Sequence, residues 1–563
     1  MKLTRTWLAA GGATLALAVA CGGAAAPTPT AAPRATAAPT VAPAAPTATA
    51  SRPAAAPTAT PAPAAAPTAT PVAAKAAPKG HLRLATGGHG SQFLDPRQYL
   101  ESSFFFDAYS IYDGLIEMAR DGSLRPSLAT EWRVRDDSLT WDFKLRRGVK
   151  FHNGDPFTAA DVKYTFETYQ GLGASELKAT VDRIDTPDEA TVIFHTVTPY
   201  PVMISQIGYT PTFVGWQVPK GYSERVGIEE FRKKPIGTGP FKFLEKRIGE
   251  RQEYAANADH WEQAPKVARM TLLIAPDDTT RIAMLKTGEV EIAMGIPGPQ
   301  IAAIRSTRGL RIVSNQTVSA IWHSFPDMLK PGLPLSDKRV RQAVNYAIDR
   351  QAIVDRLLFG EAQTAASVVS PGMFGFHKDL KPYPYDPRKA RQLLAEAGYA
   401  NGFEVNFHNT VGQESTGQAI ADYLKEVGIK VNIRMYEGAA WVVRFREHTF
   451  DGIAYGSGSN VAGDGSYRVL TFIRCWDTKV VGQYSYVCNP EIEKLYEEQL
   501  KTVDQAKREQ IVRRIQEIDY EEAGHLFLWY PKAVWGVSDK VLPWQPIQGM
   551  AWPLPTEELG FKD

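Results

Sequence analysis

Apolar and polar positions alternate through Leu139, Trp141, Phe143 and Leu145, the period of a half-buried strand. Arg147-Gly148 interrupts the alternation and Val149-Lys150-Phe151 resumes it, which predicts a hairpin. Asn153-Gly154 follows as a turn, because both residue types tolerate positive φ. Thr158 and Asp161 form a capping box, and Val162, Thr165, Phe166 and Tyr169 share one face of the helix it opens. Earlier, Gly80–Ala85 predicts a short strand and Phe104–Glu117 a helix. Later, Val192-Ile193-Phe194 predicts a further strand.

The second half of the chain changes period. Val340, Ala343, Val344, Ala347 and Ile348 keep helical spacing, with Ser336 as the expected cap. Asp386-Pro387 opens another helix, whose apolar face is Ala390, Leu393, Leu394 and Ala397 and whose stop is Gly398. A strand at Phe403–Phe407, a helix at Gln418–Val427 and a strand from Gly428 to Val431 complete a β-α-β alternation. That order implies parallel strands with a right-handed crossover. A long amphipathic helix is expected at Asp504–Glu522, then a strand from His525 to Trp529.

The first 79 residues follow neither period. Lys2 and Arg5 precede an apolar run, Trp7–Ala20, of signal-peptide length. Residues 24–79 are almost wholly Ala, Pro and Thr, a composition that cannot bury a core and stays disordered. Proline keeps such a segment partly extended, with a reach of up to about 170 Å at about 3.1 Å per residue. The charge follows this division. The chain carries 63 Lys and Arg against 61 Asp and Glu, but residues 1–79 hold six basic and no acidic side chains. The remainder is therefore slightly acidic, which argues against a nucleic-acid partner. Beyond the leader no apolar run is long enough to span a membrane. At 563 residues, two or more lobes are expected.

Three motifs carry a resemblance. "P-x-L-A-x-x-W" begins at Pro126, "T-W-x-F-x-L-R-x-G-V-K-F-H-x-G" at Thr140 and "F-T-A-x-D-V" at Phe157. With "D-G-L" at Asp113, "G-T-G-P-F" at Gly237 and "G-E-V-E" at Gly288, the chain resembles the solute-binding proteins of ABC importers in the oligopeptide/dipeptide family, family 5. The resemblance implies an α/β, two-lobed periplasmic-binding-protein-like fold of class C, with an extra subdomain in lobe I, hinged by crossover strands. The layout it implies is a lipoprotein signal at 1–20, a tether at 21–79, lobe I at 80–312 with an insert at about 118–232, lobe II at 313–532, and a return to lobe I at 533–563. Ala18-Val19-Ala20-Cys21 resembles a bacterial lipoprotein processing site, with Ala18 where Leu is more usual. Cys21 would then carry acyl chains; ordinary signal cleavage is the alternative. Outside a reducing compartment Cys475 and Cys488 are expected to pair, the alternative being two free buried thiols.

The resemblance further implies an inter-lobe cleft lined by Trp322, His323 and Phe325, by Trp441, and by Tyr455, Ser457, Ser459 and Asp464, with His89 a further candidate. Dipeptide-binding relatives hold the ligand's amino group with an Asp, where Ser459 stands here with Asp464 as the nearest acid. They hold its carboxylate with an Arg after the strand at 403–407, yet no Arg occurs between Phe403 and Ile429. A free dipeptide zwitterion is therefore a poor fit, and a longer peptide, a sugar or another neutral or amphipathic solute is favoured. The expected partners are that solute and a membrane permease, with the chain a lipid-anchored monomer at the extracytoplasmic face and no cofactor. Nickel or haem could recruit His89, His323 and His408, without ligand spacing to support it. A secreted hydrolase or a non-transport sensor is the rival class. No H-E-x-x-H or G-x-S-x-G occurs, and the adjacent His323 and Ser324 would point to opposite faces of a strand.

Overall fold

The computed structural model describes residues 77–562, apart from 89–93, 99–104, 172, 209–213, 459–462 and 478–482. Cys21 and the 1–20 and 24–76 segments lie outside the described residues, as do His89 and Ser459. Within residues 73–563, a compact unit, one 12-stranded sheet forms the spine. Ten of its strands lie in the order 429–436, 403–410, 453–458, 320–324, 525–538, 292–294, 81–86, 269–274, 251–256, 241–247, and 310–316 and 362–364 pair with 525–538 off that path.

The strand His525–Ser538 is the axis of that sheet. It is 14 residues long, about 45 Å at the usual rise. Its first part pairs with Ala320–Ser324, for example Ser324 with His525. Its last part pairs with Ile292–Met294 and with Leu310–Gln316. Leu526 and Leu528 belong to the core under the second lobe, whereas Trp535 and Val537 belong to the core of the first. Chain connections thus pass between the lobes at this strand and at residues 316–320.

Parallel pairing occurs where the β-α-β order demanded it. Phe403–Thr410 runs parallel to Ile429–Tyr436 in full register and to Ile453–Gly458. Glu414–Glu426 is the crossover helix, burying Ile420, Ala421 and Leu424. The long helix forms at Gln505–Glu521, with the Asp504 carboxylate accepting from the Lys507 N–H. Asp337, not Ser336, caps the helix Lys338–Tyr346, its carboxylate accepting from the Arg339 N–H. Ser336 instead closes a preceding 3-10 turn.

The hairpin expected around Arg147-Gly148 is absent. Thr140–Leu145 pairs with Ala129–Val134 and Thr191–Thr196 in a separate four-stranded sheet. Val149–Phe151 folds instead onto 155–157, where Phe151 N–H donates to Asp155 O and Phe157 N–H to Val149 O. The tight turn at Asn153-Gly154, with Gly154 at positive φ, brings these two segments together. The capping box does form, with Asp161 accepting from the Thr158 N–H at 2.8 Å.

The signature motifs meet in the first lobe. His152 N–H donates to Gly237 O, and His152 Nε2 lies 2.9 Å from Gly239 O. Gly239 O also accepts from Asn257 Nδ2, and the Asp113 N–H donates to Thr238 Oγ1. A Cβ on Gly237 would stand 2.1 Å from Ile111 O, so only glycine lets the two chains cross there. Gly237→Ala is expected to cost about 3 kcal/mol or more by forcing the crossing apart. A denaturant midpoint indistinguishable from the parent's would show that the crossing relaxes freely.

Candidate ligand cleft

In the second lobe, three parallel strands end on the same side, at Thr410, Tyr436 and Gly458. Open α/β sheets bind ligands just beyond such carboxyl ends. Val411 follows the first end and is 54% exposed. The helix Gly438–Arg446 follows the second and leaves Val442 and Val443 exposed, while Trp441 is half-buried. Trp441 stacks on Phe445, with ring centroids at 4.7 Å, and meets the Tyr455 ring edge-on at 6.0 Å. Its Nε1 is buried and has no hydrogen-bond partner among the described residues. Burial raises the Tyr455 hydroxyl's pKa, an effect that the hydrogen bond with Ser457 partly offsets. Trp441, Tyr455 and Ser457 are therefore brought together where those strands end.

Four other expected cleft residues are placed elsewhere. Phe325 is fully buried in the second lobe's core with Leu526 and Leu528. Trp322 is 1% exposed and packs on Phe472 at 4.6 Å, its Nε1 donating to Ser324 Oγ. Both point into the protein: Trp322 packs in a core with Phe527 and Tyr530, and Phe325 in one with Leu526 and Leu528. His323 is buried between Phe407 and Tyr455, with neither ring nitrogen hydrogen-bonded among the described residues. Burial alone pushes it down to about 3, so the ring is neutral.

Asp464 is the fourth of these residues. Its carboxylate accepts from Arg508 Nη1 at 2.7 Å and Nη2 at 3.0 Å. It also accepts from Ser205 Oγ at 2.6 Å and from the Ser466 N–H at 2.9 Å. Both partners of the ion pair are fully buried. Burial alone would raise the Asp464 carboxyl, but the Arg508 charge and these hydrogen bonds hold it below its ordinary value. With every lone pair engaged, Asp464 has nothing left for a ligand's ammonium group. Ser205 belongs to the helix Met203–Gly208, far earlier in the chain, so sequence spacing could not reveal the contact.

A disulfide joins Cys475 to Cys488. His408 is held by Asp451 at 2.6 Å and by Tyr436 at 3.0 Å. Among the described residues no group of three or more His, Cys, Asp or Glu is placed to hold a metal ion. A separate cavity of about 310 Å³ lies in the first lobe, lined by Asp113, Glu117, Arg125 and His260 among others. Its charges answer one another: Arg125 donates to Glu117 and Glu262, and His260 faces Asp113. Burial pushes the Glu117 carboxyl up to about 7. Burial alone would lower His260, but the Asp113 carboxylate raises it to about 9.

The model of bacterial extracellular solute-binding proteins, family 5, matches residues 123–478. The chain is 32% identical over 355 residues to glutathione-binding protein GsiB of Salmonella choleraesuis, covering 61% of this chain and 68% of that protein. It is 25% identical over 469 residues to heme-binding protein A of Haemophilus influenzae, covering 77% and 83% respectively. The fold matches HbpA2 from Haemophilus parasuis with a TM-score of 0.75 at 22% identity, over 86% of this chain and all of that one. The family model matches well over half of the chain, so the chain belongs to the family 5 bacterial extracellular solute-binding proteins and serves as the solute-binding receptor of an ABC importer.

Proposed function

We propose that this receptor is tethered through Cys21 to the extracytoplasmic face of the membrane, captures a peptide-class solute as a monomer and hands it to a permease without altering it. The observation that carries the peptide-class reading is the wall of Trp441, Tyr455 and Ser457 at the ends of three parallel strands. An aromatic surface with a few hydroxyl and amide groups suits a solute held by its backbone and apolar side chains. The name of the GsiB relative, glutathione-binding, points to the same class. Heme-binding protein A names another ligand, but His408 here is engaged by Asp451 and His323 is buried. A hydrolase reading finds no support in the His323-Ser324 pair, since His323 packs on Phe407 while Ser324 Oγ accepts from Trp322.

Thermal unfolding with peptides of two to five residues, oligosaccharides, Ni²⁺ and haemin tests this, because selective binding to the native state raises Tm. Peptides are expected to raise it, and Trp441→Ala to weaken their binding about 10- to 100-fold, the loss of an aromatic anchor worth about 1–3 kcal/mol. A panel in which only sugars, Ni²⁺ or haemin act would remove the peptide reading.

A further inference from the structure

The helix Gly438–Arg446 presents Trp441 yet anchors itself weakly. Of its nine residues only Phe445 is buried, and Val443 is 52% exposed. A helix of that length is marginal on its own, so contacts from outside decide where it sits. The crossover helix Glu414–Glu426 is the internal comparison. It buries Gly417, Ile420, Ala421 and Leu424 along its own face, and Ile420 and Leu424 join the core around Phe407.

Much of the outside support for Gly438–Arg446 comes from two short segments later in the chain, 474–477 and 483–488. Tyr486 meets the Phe445 ring edge-on at 5.5 Å, and Tyr484 lies 5.9 Å from it. Tyr486, Phe445, Phe450 and Ala454 form one small core, against which Trp441 and Tyr484 pack. Arg446 Nε donates to Tyr484 Oη at 3.1 Å. His448, just past the helix, stacks on Trp476 at 3.7 Å and meets Tyr486 at 4.5 Å. The Cys475–Cys488 disulfide joins these two segments. Cys488 is exposed and Cys475 half-buried, so a reductant reaches the bond with the fold intact. The Glu493 carboxylate also accepts from the Cys475 N–H at 2.7 Å, and Gln483 Oε1 accepts from the Asp477 N–H at 2.6 Å. Those hydrogen bonds survive reduction, so losing the disulfide loosens the clamp without dissolving it.

We propose that the disulfide-joined segments are the positioning element of the cleft wall: Trp476, Tyr484 and Tyr486 fix the helix that presents Trp441, and opening Cys475–Cys488 weakens solute binding while the lobe stays folded. The inference rests on the reading of Trp441 as a solute-facing residue. It makes affinity depend on the redox state of a bond that touches no solute. Dithiothreitol opens that bond by exchange: its two thiols give up two electrons and two protons and close into a ring, and the sulfurs of Cys475 and Cys488 become thiols.

The test follows hydrogen exchange in the full chain, oxidised and reduced, with Cys475→Ala combined with Cys488→Ala as the form that needs no reductant. Amides of residues 442–446 are expected to exchange about 10-fold faster in the reduced chain and in the double variant. Amides of Glu414–Glu426 and His525–Ser538 should keep their rates. Unchanged exchange at 442–446 overturns the proposal. Equal acceleration in all three regions also overturns it, because the disulfide would then serve overall stability alone. If the double variant does not fold, the reduced parent decides. A second arm measures trialanine binding by calorimetry, expected to be about 10-fold weaker for the reduced form. Equal binding to both forms overturns the proposal and leaves the peptide reading standing. Binding to neither form removes the peptide reading, and the exchange result then decides the positioning role on its own.

Discussion

Asp464→Asn is expected to destabilise the folded protein by about 3–5 kcal/mol, because it removes one partner of a fully buried ion pair. Arg508 would keep its charge with Gln499 Oε1, Ser466 Oγ and the new amide oxygen as polar partners and no counter-ion. The amide can accept one hydrogen bond where the carboxylate accepts two from Arg508, and it brings no compensating charge. The same substitution weakens the Ser205 hydrogen bond that ties Met203–Gly208 to the second lobe. Ser205→Ala serves as the comparison, since it removes one hydrogen bond and no charge and should cost about 1 kcal/mol. Chemical denaturation of the two variants measures both. If Asp464→Asn cost no more than Ser205→Ala, the carboxylate would not be the counter-ion of Arg508, and its availability to a ligand would have to be reconsidered.

Acid is expected to unfold the protein well above the range in which its carboxylates titrate, and His323 and His152 are the reason. Burial pushes His323 down to about 3 and His152 down to about 4, against an ordinary 6.5. A histidine whose pKa is lower in the fold stabilises fully above 6.5, and that contribution is lost as pH falls, because the unfolded chain takes up the proton. At pH 4.5 each ring would forfeit about 2–3 kcal/mol, at about 1.4 kcal/mol per pH unit. Glu117 acts in the opposite sense: pushed up to about 7, it favours the fold as pH falls from 7 toward 4.5. His323→Phe separates the terms. Phenylalanine keeps the contact with Phe407 and loses no hydrogen bond, since neither nitrogen of His323 has one among the described residues. The variant should match or exceed the parent in stability at pH 7 and lose less of it between pH 6.5 and 4.5. Parallel stability curves for the two proteins would show that His323 is not held neutral.

The order of elements could be read from periodicity because burial follows the geometry of each element. Helical spacing at Val340–Ile348 and the β-α-β run from Phe403 to Val431 needed only local pattern, and both elements occur with shifted ends. The family motifs were legible for a related reason. Gly237 and Gly239 meet Ile111, and Asp113 meets Thr238, so a few residue types are required by close backbone crossing.

The site was less legible. Trp322, His323 and Phe325 have the composition of a binding wall, but a short strand alternates its faces, and here hydrophobic cores lie on both. Among the expected residues that are described, Trp441, Tyr455 and Ser457 lie on or beside the elements that end at Tyr436 and Gly458. The hairpin at Arg147-Gly148 failed for a similar reason: strand partners are chosen by contacts with Ala129–Val134 and Thr191–Thr196, one of them far along the chain.

What the chain by itself determined is the type and succession of its elements and the family, since each depends on residues close in sequence. What only the tertiary structure decided is which charges are spent. Asp464 meets Arg508 and Ser205 across separations of 44 and 259 residues. Electrostatic energy depends on distance and burial, neither of which is written in local order. Which charges are engaged within the protein is therefore decided only once the strands are assembled.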